Sequence, residues 1–147
     1  MGLDGESKMS KSLDNTIPVL AAPDDVWAKV RTATTDPQRV RRDDPGRPEV
    51  CNVFTLHKFF TGDATQADLD TQCRAGTIGC VDCKRILSDN IADSFAPFRE
   101  RASELHANPE RVREILDDGA ARARAIARET MAEVRDRMGL DWRSAIG

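Results

Sequence analysis

The sequence predicts a small all-α protein, a helical bundle that follows a loop at the start of the chain. Apolar side chains recur at helical spacing over much of the second half, with charged residues on the opposite face. Tyrosine is absent and aromatic residues make up 5% of the chain, so few residues favour a β-sheet. The first 22 residues are polar and lack an apolar period. We expect a loop over residues 1–22 and a helical domain over residues 23–147.

The first helix and the segment after it have clear sequence signals. Pro23, Asp24 and Asp25 are typical of a first helical turn, and the apolar residues that follow predict a helix over residues 23–34. Residues 35–50 contain three prolines and four arginines, which favour an ordered, charged connector.

The remaining helices are predicted from apolar stripes after residue 52. The two shorter stripes are Val53, Leu56, Phe59 and Phe60, and then Ile86, Leu87, Ile91, Phe95 and Phe98. The longest stripe runs from Val112 to Met138 and stops at Gly139, and its interleaved charges predict a solvated face. We expect the spaced aromatic residues in the core, namely Trp27, Phe54, Phe59, Phe60, Phe95 and Phe98. Trp142 is expected to dock on the bundle or to lie exposed.

Length and charge limit the functions open to this chain. Its 147 residues suit one domain, and 22 basic against 25 acidic side chains give a net charge of -3. No overall positive field would attract the whole molecule to nucleic acid, so any anion site must be local. The scarcity of aromatic residues also disfavours a sheet-based nucleic-acid module. No apolar run reaches ten residues, and we expect a soluble, cytoplasmic chain that makes no membrane contact.

The leading segment contains the first candidate site. In the string KMSKS, Lys8 and Lys11 can bring two ammonium groups to phosphate oxygens, with serine hydroxyls and backbone N–H groups as further donors. Such groups stabilise the charge that develops during phosphoryl or nucleotidyl transfer. By composition alone, the commoner interpretation of a lysine-serine segment is a solvated loop.

KMSKS is also the signature loop of class I aminoacyl-tRNA synthetases, and its surroundings narrow the resemblance. The chain resembles the second half of bacterial tryptophanyl-tRNA synthetases over nearly its whole length and in the family's order, in the runs GLDGESKMSKSLDNTI, TDPQRVRRDDPGRPEVC, NVFTLHKFF, GCVDCKRILSDNI and ILDDGAARARAIARETMAEVRDRMGL. The resemblance implies that Lys8 and Lys11 act in catalysis, on the phosphates of Mg²⁺-bound ATP and the departing pyrophosphate. It implies an ATP-binding loop formed by Lys8, Met9, Ser10, Lys11 and Ser12.

The chain departs from the family in one major respect. The Rossmann-type nucleotide-binding domain, with its His-x-Gly-His-like signature and tryptophan pocket, does not occur here, and His57 and His106 are isolated in the sequence. Met1 resembles an internal methionine of the family, so we expect a fragment, a truncated product or half of a split enzyme. The isolated chain is then expected to be inactive. The complete family is homodimeric and acts on tryptophan, ATP and tRNA(Trp).

The four cysteines form the second candidate site. Cys51, Cys73, Cys80 and Cys83 follow the spacing C-x21-C-x6-C-x2-C, which in an intracellular chain favours a metal over disulfides. The spacing leaves structural zinc, an iron-sulfur cluster and reduced thiols open. The resemblance favours a 4Fe-4S cluster, with Zn²⁺ as the alternative, because a subset of the family carries that cluster on a nearly identical pattern. The first spacer here is one residue shorter.

Arginines near these cysteines are candidates for RNA contact. Guanidinium groups pair with phosphates and stack on unpaired bases, and in the family the helical domain recognises the anticodon. The candidates are Arg39, Arg41, Arg42, Arg47, Arg74 and Arg85. Surface ion pairs with nearby acids are an equal alternative for each. For the whole chain, the alternatives to a ligase portion are a stand-alone, metal-stabilised RNA-binding module and a redox or interaction module inactive in aminoacylation.

Overall fold

A computed structural model of the chain describes residues 1–140, so Trp142 lies outside the described residues. The helices are α1 (Pro23–Val30), α2 (Asn52–Phe60), α3 (Asp63–Arg74), α4 (Cys80–Ala107) and α5 (Pro109–Arg137). Short 3₁₀ turns cover Lys11–Leu13 and Pro48–Val50. Residues 1–140 contain no strand, which confirms the predicted all-α class. In this part of the chain, no helix has both the length and the apolar character that crossing a bilayer requires.

Helix α1 begins where the sequence predicts and ends earlier. Pro23 occupies its first turn, and Val26 and Val30 are fully buried. The predicted helix over 23–34 is four residues too long, because the chain turns away after Val30. The amide of Thr34 bonds the carbonyl of Leu3 at 2.9 Å, so the leading loop replaces the next helical turn as its partner.

Contacts divide the chain into two compact units, of which the first is Met1–Ala102. Its core gathers buried apolar residues of the leading loop, of α1, α2, α3 and α4, and of the segments that connect them. The core members are Leu3, Val26, Val30, Ala33, Cys51, Val53, Phe54, Leu56, Leu69, Ile78, Leu87 and Ile91. Two aromatic predictions are wrong, since Phe59 is 77% exposed and Phe98 is 57% exposed. The helical period placed each on an apolar stripe, but each points away from this core.

The second unit is Ser103–Gly147, and its described part consists of the end of α4, helix α5 and residues 138–140. No residue of α5 is buried, although this helix has the longest apolar period in the sequence. Its charged face is solvated as predicted, with ion pairs one turn apart such as Arg122 with Asp118 at 3.0 Å and Arg113 with Glu110 at 3.1 Å. The division at residue 22 stays a prediction about domain organisation.

Candidate functional site: the lysine-serine loop and the four-cysteine centre

The KMSKS residues lie on the surface of the first unit. Lys8, Met9, Lys11 and Ser12 are exposed, and Ser10 is half-buried. The hydroxyl groups of Ser10 and Ser12 lie 2.8 Å apart. Within residues 1–140, neither lysine ammonium group has a hydrogen bond or an ion pair, so both are available to an external anion.

Although its lysines are exposed, the loop is firmly attached to the core. The buried side chain of Asn52, at the start of α2, donates its amide to the carbonyl of Gly2 at 2.8 Å. The amide of Leu3 bonds the carbonyl of Asn15 at 2.9 Å, and Leu3 is itself a core residue. A Cβ atom added to Gly2 would lie 2.2 Å from Nδ2 of Asn15, so only glycine fits there. The loop therefore starts and ends on buried contacts.

Asn15 uses its entire side-chain amide within the loop. Its Oδ1 accepts the N–H of Ser10 at 2.8 Å, and its Nδ2 donates to the carbonyl of Lys8 at 3.3 Å and to Oδ2 of Asp4 at 2.7 Å. These bonds lower the pKa of Asp4, chiefly through Asn15 and then through the amides of Glu6 and Ser7. Sequence reasoning missed Asn15 and Asp4, because a polar residue in a polar segment gives no distinctive signal.

A second contact holds the far edge of the loop. Lys29 of α1 forms an ion pair with the carboxylate of Asp14 and also donates to its carbonyl at 3.3 Å. Asp14 has a positive φ of 52° and closes the 3₁₀ turn that carries Lys11. Asp14 is exposed, so solvent screens this ion pair.

The four cysteines come from four different positions in the first unit. Cys51 precedes α2, Cys73 lies near the end of α3, Cys80 begins α4, and Cys83 follows within its first turn. Burial, with the other three thiols, raises the pKa of Cys83 to about 12. Burial also raises the pKa of Cys73, with Arg39 opposing it and the Cys51 and Cys80 thiols adding to it. Burial is thus the largest cause of both shifts, and the neighbouring thiols add to it.

Gly46 brings the connector against this centre. Its amide bonds the carbonyl of Cys73 at 2.8 Å, and a Cβ atom added to it would lie 2.5 Å from the Cys73 sulfur. A side chain at this position would displace the thiol. The sequence identified Gly46 only as part of an ordered, charged connector, whereas the structure shows a close approach that requires glycine.

Arg39 is the cation that lies directly on the thiols. Its Nη1 lies 3.6 Å from the Cys73 sulfur, and its Nη2 donates to the carbonyls of Arg42 at 2.6 Å and Ile78 at 2.5 Å. Its Nε atom is buried without a hydrogen-bond partner among the described residues. These contacts join the connector to the turn before α4, so the guanidinium group is occupied within the protein.

His57 contacts the centre as well, although its sequence position looked isolated. The ring is fully buried on α2, and its Nε2 lies 3.2 Å from the carbonyl and 3.4 Å from the sulfur of Cys83. Its Nδ1 lies 2.8 Å from the Thr61 hydroxyl. Burial lowers the pKa of His57, opposed by the Cys83 carbonyl. A histidine 26 residues from a cysteine offers no local spacing signal, so the contact depends on the fold.

The side chains around the cysteines do not form a ready-made set of metal ligands among the described residues. Within residues 1–140, no three or more Cys, His, Asp or Glu side chains are grouped as ligands of a metal ion. The 4Fe-4S cluster and its alternative, Zn²⁺, therefore stay predictions from the sequence.

The other candidate arginines have different partners. Arg47 forms a bidentate pair with the buried carboxylate of Asp36, at 2.6 and 2.9 Å, and lowers the pKa of that carboxyl well below its usual range. Arg74 binds Glu49 and Asp70, each at 2.9 Å. Ion pairing, the alternative to RNA contact, thus occupies Arg47 and Arg74.

Arg41, Arg42 and Arg85 remain nearer to solvent. Arg85 lies over the ring of Trp27 at 3.6 Å, a cation–π contact that joins α4 to α1. The exposed Arg42 reaches Asp82 at 3.3 Å. Arg41 is exposed, and its backbone N–H and carbonyl both bond Asp44. Arg41 and Arg42 line an open groove of about 490 Å³ beside Cys80, together with Arg39.

Comparison with known proteins places the chain in a class. Residues 1–96 match the family model described as tRNA synthetases class I (W and Y). The chain therefore belongs to this class I tRNA synthetase family.

Individual relatives narrow the similarity to the tryptophan branch. The chain is 47% identical over 138 residues to a tryptophan--tRNA ligase from Deinococcus radiodurans, covering 94% of this chain and 42% of the relative. It is 44% identical to the Aquifex aeolicus tryptophan--tRNA ligase, covering 95% of this chain and 35% of that protein. The chain thus spans less than half the length of these relatives.

A solved structure has the same fold. The tryptophanyl-tRNA synthetase of Campylobacter jejuni, in a crystal structure complexed with ADP and tryptophan, matches with a TM-score of 0.84 and 33% identity. The match covers 94% of this chain and 42% of that one. The predicted resemblance to bacterial tryptophanyl-tRNA synthetases is confirmed.

Proposed function

We propose that this chain is the C-terminal portion of a tryptophan–tRNA ligase, which supplies the ATP-binding loop and the tRNA-recognition domain. The observation that carries the proposal is the KMSKS loop, whose two unpaired lysines are exposed on a backbone fixed to the core. The tryptophan–tRNA ligase relatives support the same interpretation. The complete enzyme would act in the cytoplasm on tryptophan, ATP and tRNA(Trp), as a homodimer.

The loop would act on the nucleotide. In adenylate formation, a carboxylate oxygen of tryptophan bonds to the α-phosphorus of ATP, the bond from that phosphorus to the bridging oxygen breaks, and pyrophosphate leaves. Lys8 and Lys11 would bind the phosphates and offset the negative charge that accumulates on the leaving group. Ser10, Ser12 and the backbone near Met9 would donate further hydrogen bonds. Mg²⁺ enters with ATP as part of the substrate. The tRNA hydroxyl then takes the tryptophanyl group and releases AMP.

We propose that the four cysteines hold a 4Fe-4S cluster, with Zn²⁺ as the alternative. The effect of the other three thiols on the pKa of Cys83 supports this assignment, as does the fixed guanidinium group of Arg39 beside Cys73, which suits a negatively charged cluster. Cys51, Cys73, Cys80 and Cys83 would be the ligands, and the cluster would supply a structural crosslink between the connector, α3 and α4. No step of the adenylate chemistry involves it. Equal iron and sulfide would support the cluster, and one zinc per chain would contradict it.

The groove beside the thiols is our candidate for anticodon contact. Arg41 and Arg42 line it and are exposed, so they can bind phosphate or stack on an unpaired base. Arg39 lies at its inner wall with its guanidinium occupied. Arg47, Arg74 and Arg85 are held by Asp36, by Glu49 and Asp70, and by Trp27. We therefore rank Arg41 and Arg42 first.

A second candidate function is a stand-alone RNA-binding or redox and interaction module, inactive in aminoacylation. The thiol centre and the groove favour it, because both lie within this chain and use residues outside the KMSKS loop. The retained lysine loop favours the ligase instead, since RNA binding in the groove makes no use of it.

Tryptophan-dependent exchange of labelled pyrophosphate into ATP distinguishes these functions. The anaerobically purified chain would be assayed alone and together with a separately expressed nucleotide-binding half from a relative. We expect activity only in the mixture. Inactive mixtures, with both halves shown to be folded and to associate, would contradict the ligase proposal and leave the binding module. Activity of the chain alone would show that it needs no second half.

A further inference from the structure

We propose that Asn15 and Asp4 are positioning residues that fix the backbone of the KMSKS loop so that its lysines meet the phosphates of ATP. This inference rests on the proposed function and adds two residues to it. Neither residue belongs to the KMSKS string, and neither side chain is expected to touch the nucleotide.

Asn15 bonds the backbone of the KMSKS loop at two residues, Lys8 and Ser10. Its amide oxygen accepts the N–H of Ser10, and its amide nitrogen donates to the carbonyl of Lys8. These two contacts bracket Met9, so one side chain fixes the backbone on both sides of it. The direction in which Lys8 leaves the chain is set by the same bonds, as is the entry into the 3₁₀ turn at Lys11.

Asp4 fixes the orientation of the Asn15 side-chain amide. Oδ2 of Asp4 accepts the other hydrogen of the Asn15 amide at 2.7 Å. Oδ1 of Asp4 accepts the amides of Glu6 at 3.0 Å and Ser7 at 3.1 Å, so its carboxylate cannot turn without losing them. An asparagine amide flipped by 180° would place its oxygen against this carboxylate. Asp4 therefore selects the one orientation of Asn15 that serves both Lys8 and Ser10.

Asn15 and its neighbours attach the loop backbone rigidly to the core. Asn15 is 5% exposed, and Gly2 packs directly against its amide. Gly2 is bonded in turn to the buried amide of Asn52 in α2. A fixed backbone lowers the entropy that the exposed lysines lose when they bind phosphate, and it holds them where charge develops. The polar contacts thus couple the core to the reactive loop.

The functional test uses the complete enzyme, reconstituted from this chain and the nucleotide-binding half. Asn15→Asp keeps the shape and the acceptor for Ser10, but it loses both N–H donors and places a second carboxylate against Asp4. We expect kcat for pyrophosphate exchange to fall roughly 10²-fold, the size of a misplaced catalytic group. The KM for tryptophan should stay unchanged, because neither Asn15 nor Asp4 is expected to contact tryptophan. An unchanged kcat would overturn the positioning role.

The matched control and the rescue separate positioning from general damage. Asn90→Asp makes the same change at a half-buried asparagine of α4 that bonds Thr61, and it should leave kcat unchanged. The exchanged pair Asp4→Asn with Asn15→Asp restores an amide-to-carboxylate bond between the two positions. We expect it to recover at least part of the lost kcat. Recovery no greater than in Asn15→Asp alone would contradict the role of Asp4.

The hydrogen bonds that join Asp4 and Asn15 to the loop backbone are called the clamp here. A structural measurement on this chain tests the clamp even if the ligase proposal fails. Hydrogen exchange at the Ser10 amide should be about tenfold faster in Asn15→Ala, the effect of losing one net hydrogen bond. Exchange in α2 should not change. Faster exchange with inactive wild-type mixtures would retain the clamp and reject the ligase. Unchanged exchange at Ser10 would reject the clamp itself.

Discussion

The lysine loop and the four-cysteine centre differ in how their reactive groups are exposed and partnered. Lys8 and Lys11 are exposed and unpaired among the described residues, and the buried contacts lie in the backbone beneath them. The thiols lie among buried contacts, with Arg39 and His57 bonded against them. Unpaired cations on a fixed backbone suit a ligand that comes and goes, such as ATP. Thiols with dedicated partners inside the protein suit a resident group that holds elements together.

The largest effect is expected at Cys83, on bound iron and on thermal stability. Cys83→Ser removes a proposed ligand, and anaerobically purified chain should then retain at least about tenfold less iron than the wild type. Its thermal midpoint should fall as well, because the proposed crosslink to α4 would be lost. Iron and sulfide analysis and thermal unfolding measure both. Val81→Ser, at a 66% exposed position of the same turn, is the control. Equal iron in Cys83→Ser would show that the centre is not a cluster site.

An intermediate effect is expected from pH, and it concerns the loop alone. Hydrogen bonds from Asn15 and then from two backbone amides lower the pKa of Asp4 below its ordinary 3.8. The stabilisation of the loop is therefore fully present above that ordinary value and is lost as pH falls through the lowered pKa. NMR signals of the Asn15 side-chain amide should shift in that acidic range. In Asp4→Asn the acid shift should disappear. A wild-type shift centred above 3.8 would contradict the clamp geometry.

The smallest effect is expected at the outer contact of the loop. Lys29→Met removes the ion pair with the exposed Asp14, which is worth at most about 1 kcal/mol for surface pairs. The free energy of unfolding should change by less than that, and pyrophosphate exchange in the reconstituted enzyme by less than about tenfold. Urea unfolding and the exchange assay provide the two numbers. A loss as large as that expected for Asn15→Asp would move the main support of the loop from the buried clamp to this surface pair.

Much of the fold follows from the sequence, and its exceptions have physical causes. The helical class and the start of α1 were predicted from periodicity and from Pro23. The end of α1 was not predicted correctly, because it depends on the bond between Thr34 and Leu3, which are 31 positions apart. The apolar stripe of α5 was predicted as a helix face, yet periodicity does not say what covers a face.

The sites divide in the same way. Short motifs such as KMSKS and Cys-x-x-Cys can be recognised in the sequence, because the chemistry needs those residues close together along the chain. Asn15, Asp4, His57 and Gly46 act through contacts that only the folded chain creates. The arginines show the limit most clearly. The sequence made six of them candidates for RNA contact, with ion pairs as an equal alternative, and the structure pairs Arg47 and Arg74 with carboxylates.

The most direct test of the central claim compares two lysines in the reconstituted enzyme. Lys11→Ala removes an unpaired ammonium group from the loop, whereas Lys58→Ala removes an exposed lysine from α2. We predict that tryptophan-dependent pyrophosphate exchange falls roughly 10²-fold in Lys11→Ala, the size of losing one transition-state donor, and stays at the wild-type rate in Lys58→Ala. Equal rates in the two variants would contradict the assignment of the loop to ATP.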